Sequence, residues 1–429
     1  MYGNEFADHR NKLIDQIIAS GIKEGIVALK SPKVRREPFS NSEHPFYQEA
    51  LFFWLSGWEN PDSAISIDIS TKQSVLYTPV YDEEYEIWIG AIPSKEEIIG
   101  KCGVDDIKSM KHFNNLVSAN SVIFSALSQI SNGDNVILPR AASIIRRVKS
   151  QNEIKWLREA SVATSKGIIE VLKNLKSFKT EKDIETAFYH YASKNGGMGL
   201  SFNTISACGQ NATHLHYISN KDHLKEGELH LLDCGVFVNH YSGDITRVFP
   251  IGGKFSENQK LVYSNLLSLQ KELILEARPG ETFTSLNEKM LNGIFEILRK
   301  LGIVEMNCEF SKPIAQLFCP HGLTHHLGCN THDLAFYEGY IVEDSLSNSR
   351  LLVPGMVITI EPGIYFHQKR LETSNGKEDY KSVNFKRAFE FLSVGGIRIE
   401  DDILITDGES IVLSTCPKEI EEIEALINQ

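Results

Sequence analysis

Apolar residues recur in two rhythms along the chain, and the rhythm changes near residue 150. Up to there, Glu5 to Ser20 repeats with a helical period, and Gly25-Ile-Val-Ala-Leu29 has the run of a short buried strand. Phe52 to Trp58 is aromatic-rich, and Ala64 to Ile69 with Ser74 to Tyr77 predicts a hairpin. Glu96 to Ile99, Asp105 to Lys111 and Phe113 to Ser118 predict further helices. This is an α/β pattern with no catalytic spacing in it, and the lone His44 before Pro45 reads as a surface residue.

At Ser150 a new element begins. Ser150 with Glu153 has the form of a capping box, and Ile154, Leu157, Ser161, Ile168 and Leu172 continue it as a long amphipathic helix. Thr180 with Asp183 opens a second helix through Ile184, Phe188 and Tyr191, which Gly196-Gly197 ends. Helices are also predicted from Glu257 to Ala277 and from Ser285 to Leu301. Between and after them the pattern is strand-like. The chain therefore divides into 1–150 and 151–429, with no internal repeat.

The second part carries the chemical residues, and it carries them where apolar strands are expected. Leu231-Leu-Asp233-Cys-Gly-Val236 and Ser242-Gly-Asp244-Ile-Thr-Arg247 predict two antiparallel strands joined by a turn, with both carboxylates on one side. Carboxylates held that close repel unless a cation lies between them, and an unpaired buried one costs several kcal/mol. Glu361 ends the β-rich run Val353 to Ile360, and Glu400 lies in Gly395 to Ile403, where alternation puts Arg398, Glu400 and Asp402 on one face. His214 and His216 would share one face of a strand. Four histidines fall within Cys319 to Asp333, namely His321, His325, His326 and His332; a helix would let His321 and His325 face one way, although no glutamate follows the first as in a zincin. Four carboxylates and an imidazole can hold two divalent cations, with oxygen-rich ligation suiting Mn²⁺ or Co²⁺ and admitting Zn²⁺.

Composition narrows the setting. The chain is 42% apolar and 23% charged with a net charge of −12, which argues against nucleic-acid binding and against a basic membrane-binding stripe. Its seven cysteines stand singly, as expected in a reducing compartment, and the N-terminus has no signal-peptide pattern. No apolar run is long enough to span a bilayer. A cytoplasmic protein is expected.

In order, Asp233 … Gly243-Asp244 … His321-Gly-Leu-Thr-His325 … Glu361-Pro-Gly363 … Arg398-Ile-Glu400-Asp-Asp resembles the pita-bread metallopeptidases, and among them the proline-specific prolidases and aminopeptidases P. The likeness extends to Leu76-Tyr-Thr-Pro79 through Gly90 and to Pro417 through Ile427. It implies an α/β N-terminal creatinase/prolidase-like domain and an α+β pita-bread catalytic domain. It implies that Asp233, Asp244, His325, Glu361 and Glu400 ligate two divalent metal ions, Mn²⁺ before Co²⁺ or Zn²⁺, with Asp244 and Glu400 bridging. Glu361 would also take the proton of the attacking water. His216, His321 and His332 would line the substrate site, with His321 or His216 donating to the oxyanion and Arg398 orienting Glu400. The implied substrates are small peptides with proline second, cleaved at the Xaa-Pro bond by a hydroxide bridging the metals, in a homodimer.

Two features bear on the choice within that branch. Dipeptide-cleaving prolidases place an arginine before the Pro-Gly-Met turn; Ser347 stands there in this chain, and Arg350 is the nearest arginine. The long segment from His367 to Gly395 resembles prolidase. Xaa-Pro dipeptidase is the first expectation and Xaa-Pro aminopeptidase, acting on longer peptides, the alternative. An inactive binding protein on this fold would be expected to have lost ligands; a methionine aminopeptidase would lack the large first part.

Overall fold

The computed structural model describes residues 2–91, 93–120, 123–125, 133–134, 137–333 and 351–429. The chain forms two compact units that part between Arg146 and Arg147.

Among the described residues the first unit is a mixed six-stranded sheet with helices. The strand Ile26–Lys30 pairs antiparallel with Ala64–Asp68, which pairs with Ser74–Thr78 as the expected hairpin. The helices Gly3–Ala19, Lys95–Cys102 and Met110–Ala119 fall on predicted helical stretches, and the aromatic-rich stretch, which carried no helix prediction, begins within the helix Ala50–Ser56. One element differs. Asp105 to Lys111 is not a helix: Asp106–Ser109 is a strand lying parallel to Ser74–Thr78. Four residues are too few for periodicity to distinguish the two, and pairing with a distant strand decides it.

The second unit opens on the helix Gln151–Lys173. Ser150 Oγ accepts from Glu153 N and Glu153 Oε2 accepts from Ser150 N, so the capping box closes as read. Thr180 and Asp183 do the same for Glu181–Lys194. The helices Glu257–Glu276 and Phe283–Lys300 are also capped, by Ser256 and Thr282. Against these helices lie short antiparallel sheets whose buried faces share one core, with Phe249, Phe295, Phe318 and Phe366 among its largest side chains. In one sheet Leu229–Cys234 is central, between Ile205–Cys208 and Ile245–Pro250. In another, Val357–Ile360 pairs with Asp401–Leu404, and Gly363–Tyr365 pairs with Gly396–Arg398.

The turn between the first two acidic strands explains how both can face one way. Val236–Val238 and Tyr241–Ser242 pair through Asn239-His240, both with positive φ (48° and 64°), the backbone of a type I′ turn. The chain then passes so close to itself that a Cβ on Gly235 would lie 1.9 Å from Gly243 O, so glycine is required there.

Candidate metal centre and substrate cavity

Register builds the centre. Asp233 lies opposite Thr246, two residues beyond Asp244, and Glu400 N donates to Thr246 O at 3.2 Å. Ile399 N reaches Pro362 O (3.3 Å), which brings the end of the Glu361 strand alongside. Extended backbone from Leu323 to Leu327 runs beside Val357–Ile360: Thr359 N donates to His325 O (3.0 Å), and Glu361 N to Leu323 O (2.9 Å). Three strand pairs and one extended segment therefore converge. They deliver Asp233, Asp244, His325, Glu361 and Glu400 to one end of a cavity of about 650 Å³.

Ligand atoms of Asp233, Asp244 and Glu400 all lie within 4.8 Å of one another, as do those of His325, Glu361 and Glu400. His325 Nε2 is 3.4 Å from Asp244 Oδ2 and 3.6 Å from Glu361 Oε1. Its Nδ1 lies 3.0 Å from His326 O, which can only accept, so in the neutral ring Nε2 turns a lone pair toward carboxylates. Asp233 Oδ1 is buried, with no hydrogen-bond partner among the described residues. Burial, then the charge of Asp233, holds the Asp244 carboxyl well above its ordinary range. Burial, then Asp244, Glu361 and Asp233, does the same to Glu400, and burial pushes Glu361 up to about 7. A lone pair and four acids crowded around one point are mutually unfavourable, with one guanidinium in attendance. Two divalent cations remove that conflict, so the residues present fit them.

The supporting bonds differ from expectation at Arg398. It does not reach Glu400. Its Nη2 donates to Asp233 Oδ2 (2.5 Å), its Nε to Thr246 Oγ1 (3.1 Å) and its Nη1 to Tyr365 Oη (2.8 Å). Glu400 is instead held by Thr246, whose Oγ1 donates to Oε2 at 2.6 Å. Asp402 lies on the same side as Glu400, as alternation implied, and its Oδ2 accepts from Asp244 N (3.3 Å).

The histidines come from loops. His321 and His325 follow the helix Lys312–Phe318 on irregular and extended backbone, not on a helix. His214 and His216 follow the short 3₁₀ turn Gly209–Thr213, not a strand; His216 lines the cavity while His214 packs edge-on against His367. His321 Nδ1 donates to Gly322 O (2.8 Å), so its Nε2 accepts from Tyr365 Oη (2.8 Å), and burial pushes it down to about 4. A neutral His321 so arranged has no proton left to give an oxyanion. His332 lies with its ring centroid 4.2 Å from that of His325 and is also pushed down to about 4, chiefly by burial. The segment bearing it is pinned by a buried ion pair between Lys149 and Asp333 (3.2 Å). Tyr365 and Thr246 were not singled out in the sequence. Thr246 was legible in principle, two residues along the strand from Asp244; Tyr365 was not. Ser347 and Arg350 lie outside the described residues.

The remaining cavity wall mixes apolar Phe202, Ile205, Leu215 and Ile218 with neutral polar Ser201, Asn203, Thr324 and Thr331. Among the described residues lining it, Arg398 is the only lysine or arginine, and it is spent on Asp233.

A carboxylate-rich cluster fit for two divalent cations, open to a cavity of peptide size, is the site of a metal-dependent hydrolase. Residues 155–407 match the model of metallopeptidase family M24, and residues 6–122 that of the aminopeptidase P N-terminal domain. The chain belongs to metallopeptidase family M24, with the two-part pita-bread architecture expected of it. It is 34% identical to a protein of Phaeosphaeria nodorum named as an Xaa-Pro aminopeptidase, over 98% of this chain and 96% of that one. Among solved structures it is similar to a zinc-substituted aminopeptidase P of E. coli in complex with product (28% identity, TM-score 0.82, 100% of this chain and 98% of that one). Proline aminopeptidase P II of Yersinia pestis is equally similar (28% identity, TM-score 0.82, 100% of both chains). Among the described residues no helix is long and apolar enough to cross a membrane.

Proposed function

We propose that the chain is an Xaa-Pro aminopeptidase, removing the first residue from peptides that carry proline second and continue beyond it. The dipeptidase expectation gives way to the alternative, because the relatives are named Xaa-Pro aminopeptidase and aminopeptidase P. The observation that carries this reading is the likeness to those proteins over nearly the whole of both chains, and the described cavity wall agrees with it. A dipeptide substrate presents a free carboxylate beside the scissile bond. Among the described residues, no uncommitted lysine or arginine lines the cavity to meet it. A longer peptide presents a neutral amide at that place and asks for no such partner.

In this proposal Asp233, Asp244, His325, Glu361 and Glu400 hold two divalent cations, Mn²⁺ in the first instance. When bound, such cations would activate water and polarise the scissile carbonyl. Glu361 stands at the cavity end of its strand, where it can take the water's proton and pass it to the leaving nitrogen. His216 and His332 face the cavity and can donate a ring N–H to the developing oxyanion. Arg398 fixes Asp233, and through Tyr365 it fixes the tautomer of His321. The apolar part of the wall, with Phe202, Ile205, Leu215 and Ile218, suits a pyrrolidine ring and a tertiary amide without N–H. Residues 1–150 and 151–429 are the two domains of this reading, supported by the compact units. A cytoplasmic setting and a homodimer belong to it on the resemblance and the singly placed cysteines.

The test compares Mn²⁺-loaded protein on an Xaa-Pro dipeptide and on the matching Xaa-Pro-Yaa tripeptide. An unpartnered charged group costs about 1.5–3 kcal/mol, so kcat/KM should favour the tripeptide by roughly tenfold or more. Equal or better cleavage of the dipeptide would restore the prolidase reading. Cleavage of neither, with metal bound, would remove both.

A further inference from the structure

His216 reaches the cavity from a stretch with little regular structure. Between the strands Ile205–Cys208 and Leu229–Cys234 the chain forms only the 3₁₀ turn Gly209–Thr213, yet Leu215, His216 and Ile218 all line the cavity from it. Something outside the loop must fix it, since an unsupported loop would spread His216 over many positions.

That support is Glu181, the first residue of the helix Glu181–Lys194, which is fully buried (0% exposed). Its Oε1 accepts from Cys208 N (2.8 Å) and Asn211 Nδ2 (2.9 Å). Its Oε2 accepts from Tyr217 Oη (2.8 Å) and Asp222 N (3.0 Å). The backbone joins in, with Glu181 N donating to Asp222 O (3.0 Å) and Glu181 O accepting from Ser206 Oγ (2.7 Å). Asn211 Nδ2 also reaches Tyr217 Oη (3.1 Å) and Asp222 Oδ2 (2.9 Å), closing a ring of bonds around the carboxylate. The anchored points bracket His216: Cys208 and Asn211 before it, Tyr217 next to it, Asp222 after it.

Among the described residues no lysine or arginine forms an ion pair with Glu181. Four donors and the positive end of its helix compensate the charge instead. Burying an ion this way is a costly means of stabilising a fold, and the helix is already capped by Thr180 and Asp183. What a carboxylate adds is four strong acceptor positions in one plane, enough to tie both flanks of a loop at once.

We propose that Glu181 is a positioning residue for the Xaa-Pro reaction: it holds the 208–222 loop so that His216 faces the scissile bond. This rests on the proposed function, and on His216 contacting substrate within it. A neutral glutamine at 181 keeps the volume, but its NH₂ must face an N–H or a side-chain donor, so one flank of the loop is released.

The experiment uses the full Mn²⁺-loaded chain with Glu181→Gln, Tyr217→Phe, His216→Ala and the double variant Glu181→Gln/His216→Ala. It reads kcat and KM on an Xaa-Pro-Yaa tripeptide, together with metal content. Glu181→Gln should keep its metal and lose activity roughly tenfold or more, with the same split between kcat and KM as His216→Ala. The double variant should be no worse than His216→Ala alone, because the two changes remove one interaction. Tyr217→Phe, which loses a single bond, should show a smaller loss of the same kind and serves if Glu181→Gln does not fold. Activity of Glu181→Gln within about twofold of the parent overturns the proposal, as do losses that multiply in the double variant or loss of metal. His216→Ala with the parent's activity overturns it too, while leaving the peptidase reading in place. Failure of that reading is distinct: the parent protein itself would cleave no Xaa-Pro peptide.

Discussion

Removing the cations should make the stability of this protein fall with rising pH in a range where the loaded form is level. Asp244 and Glu400 are held well above the ordinary carboxylate range, chiefly by burial and then by neighbouring carboxylates. In the unfolded chain both titrate near pH 4. Above that value the unfolded chain has released protons that the metal-free folded chain keeps. Each group therefore lowers stability by about 1.4 kcal/mol per pH unit until its folded pKa is passed. Buried histidines act oppositely at lower pH. His321 and His332, pushed down to about 4, and His326, to about 3, lack protons that the unfolded chain holds, so stability gained from them rises only up to about pH 6.5. Between pH 7 and 8 the histidines are silent and Glu361 at about 7 is mostly spent, so a fall over that unit is carried by Asp244 and Glu400, at no more than about 1.4 kcal/mol for each. Asp402, also raised by burial and by Asp244, is common to both forms, so the quantity to read is the difference between them. The assay is denaturant unfolding of chelator-treated and Mn²⁺-loaded protein at pH 7 and 8. Metal uptake at pH 7 should in turn displace protons from these carboxyls, measured by calorimetry in buffers of different ionisation enthalpy. Metal-free protein as stable at pH 8 as at pH 7 relative to the loaded form, or uptake without buffer dependence, refutes the reasoning.

Two further substitutions probe the frame around the centre. Asp401 is fully buried and accepts from Arg247 Nη2 (2.6 Å), Lys418 Nζ (2.5 Å) and Gln270 Nε2 (2.8 Å). Asp401→Asn strands two cations and should cost about 3–5 kcal/mol in denaturant unfolding, and an unchanged midpoint would show the pair to be dispensable. Because Arg247 Nη1 also donates to Glu400 O (2.7 Å), the same variant should bind metal more weakly. Gly235→Ala drives a methyl against Gly243 O, so the hairpin carrying Asp233 and Asp244 must open. Soluble Gly235→Ala protein with full metal content would contradict that geometry.

Local signals were legible where the physics is local. The helix starts at Ser150 and Thr180 are written in side chains three residues apart, and both capping boxes form. The strand Asp106–Ser109 was misread because its identity depends on pairing with Ser74–Thr78, some thirty residues away in sequence. His214 to Tyr217 and His321 to His325 were given regular structure that the chain does not use. They are held by Tyr217 Oη donating to Glu181 and by Thr359 N and Glu361 N donating to His325 O and Leu323 O, none of which leaves a periodic trace.

The centre shows the same division from the other side. Four carboxylates stood out because each breaks the rule that an apolar strand carries no unpaired acid, and a broken local rule marks function more reliably than an obeyed one. The partners of those acids obey every local rule and so gave no sign. Arg398 meets Asp233 instead of Glu400 because Gly363 pairs with Arg398 while Asp233 pairs with Thr246, a consequence of two separate registers. Thr246 holds Glu400 for the same reason. Sequence therefore exposes the groups that would bind metal, through the cost of burying them, while the groups that aim them stay hidden until the strands are aligned. Glu181 lies at the far end of that scale: a polar residue in the first turn of a capped helix, ordinary in every local respect, whose work is visible only in the four donors that meet its carboxylate.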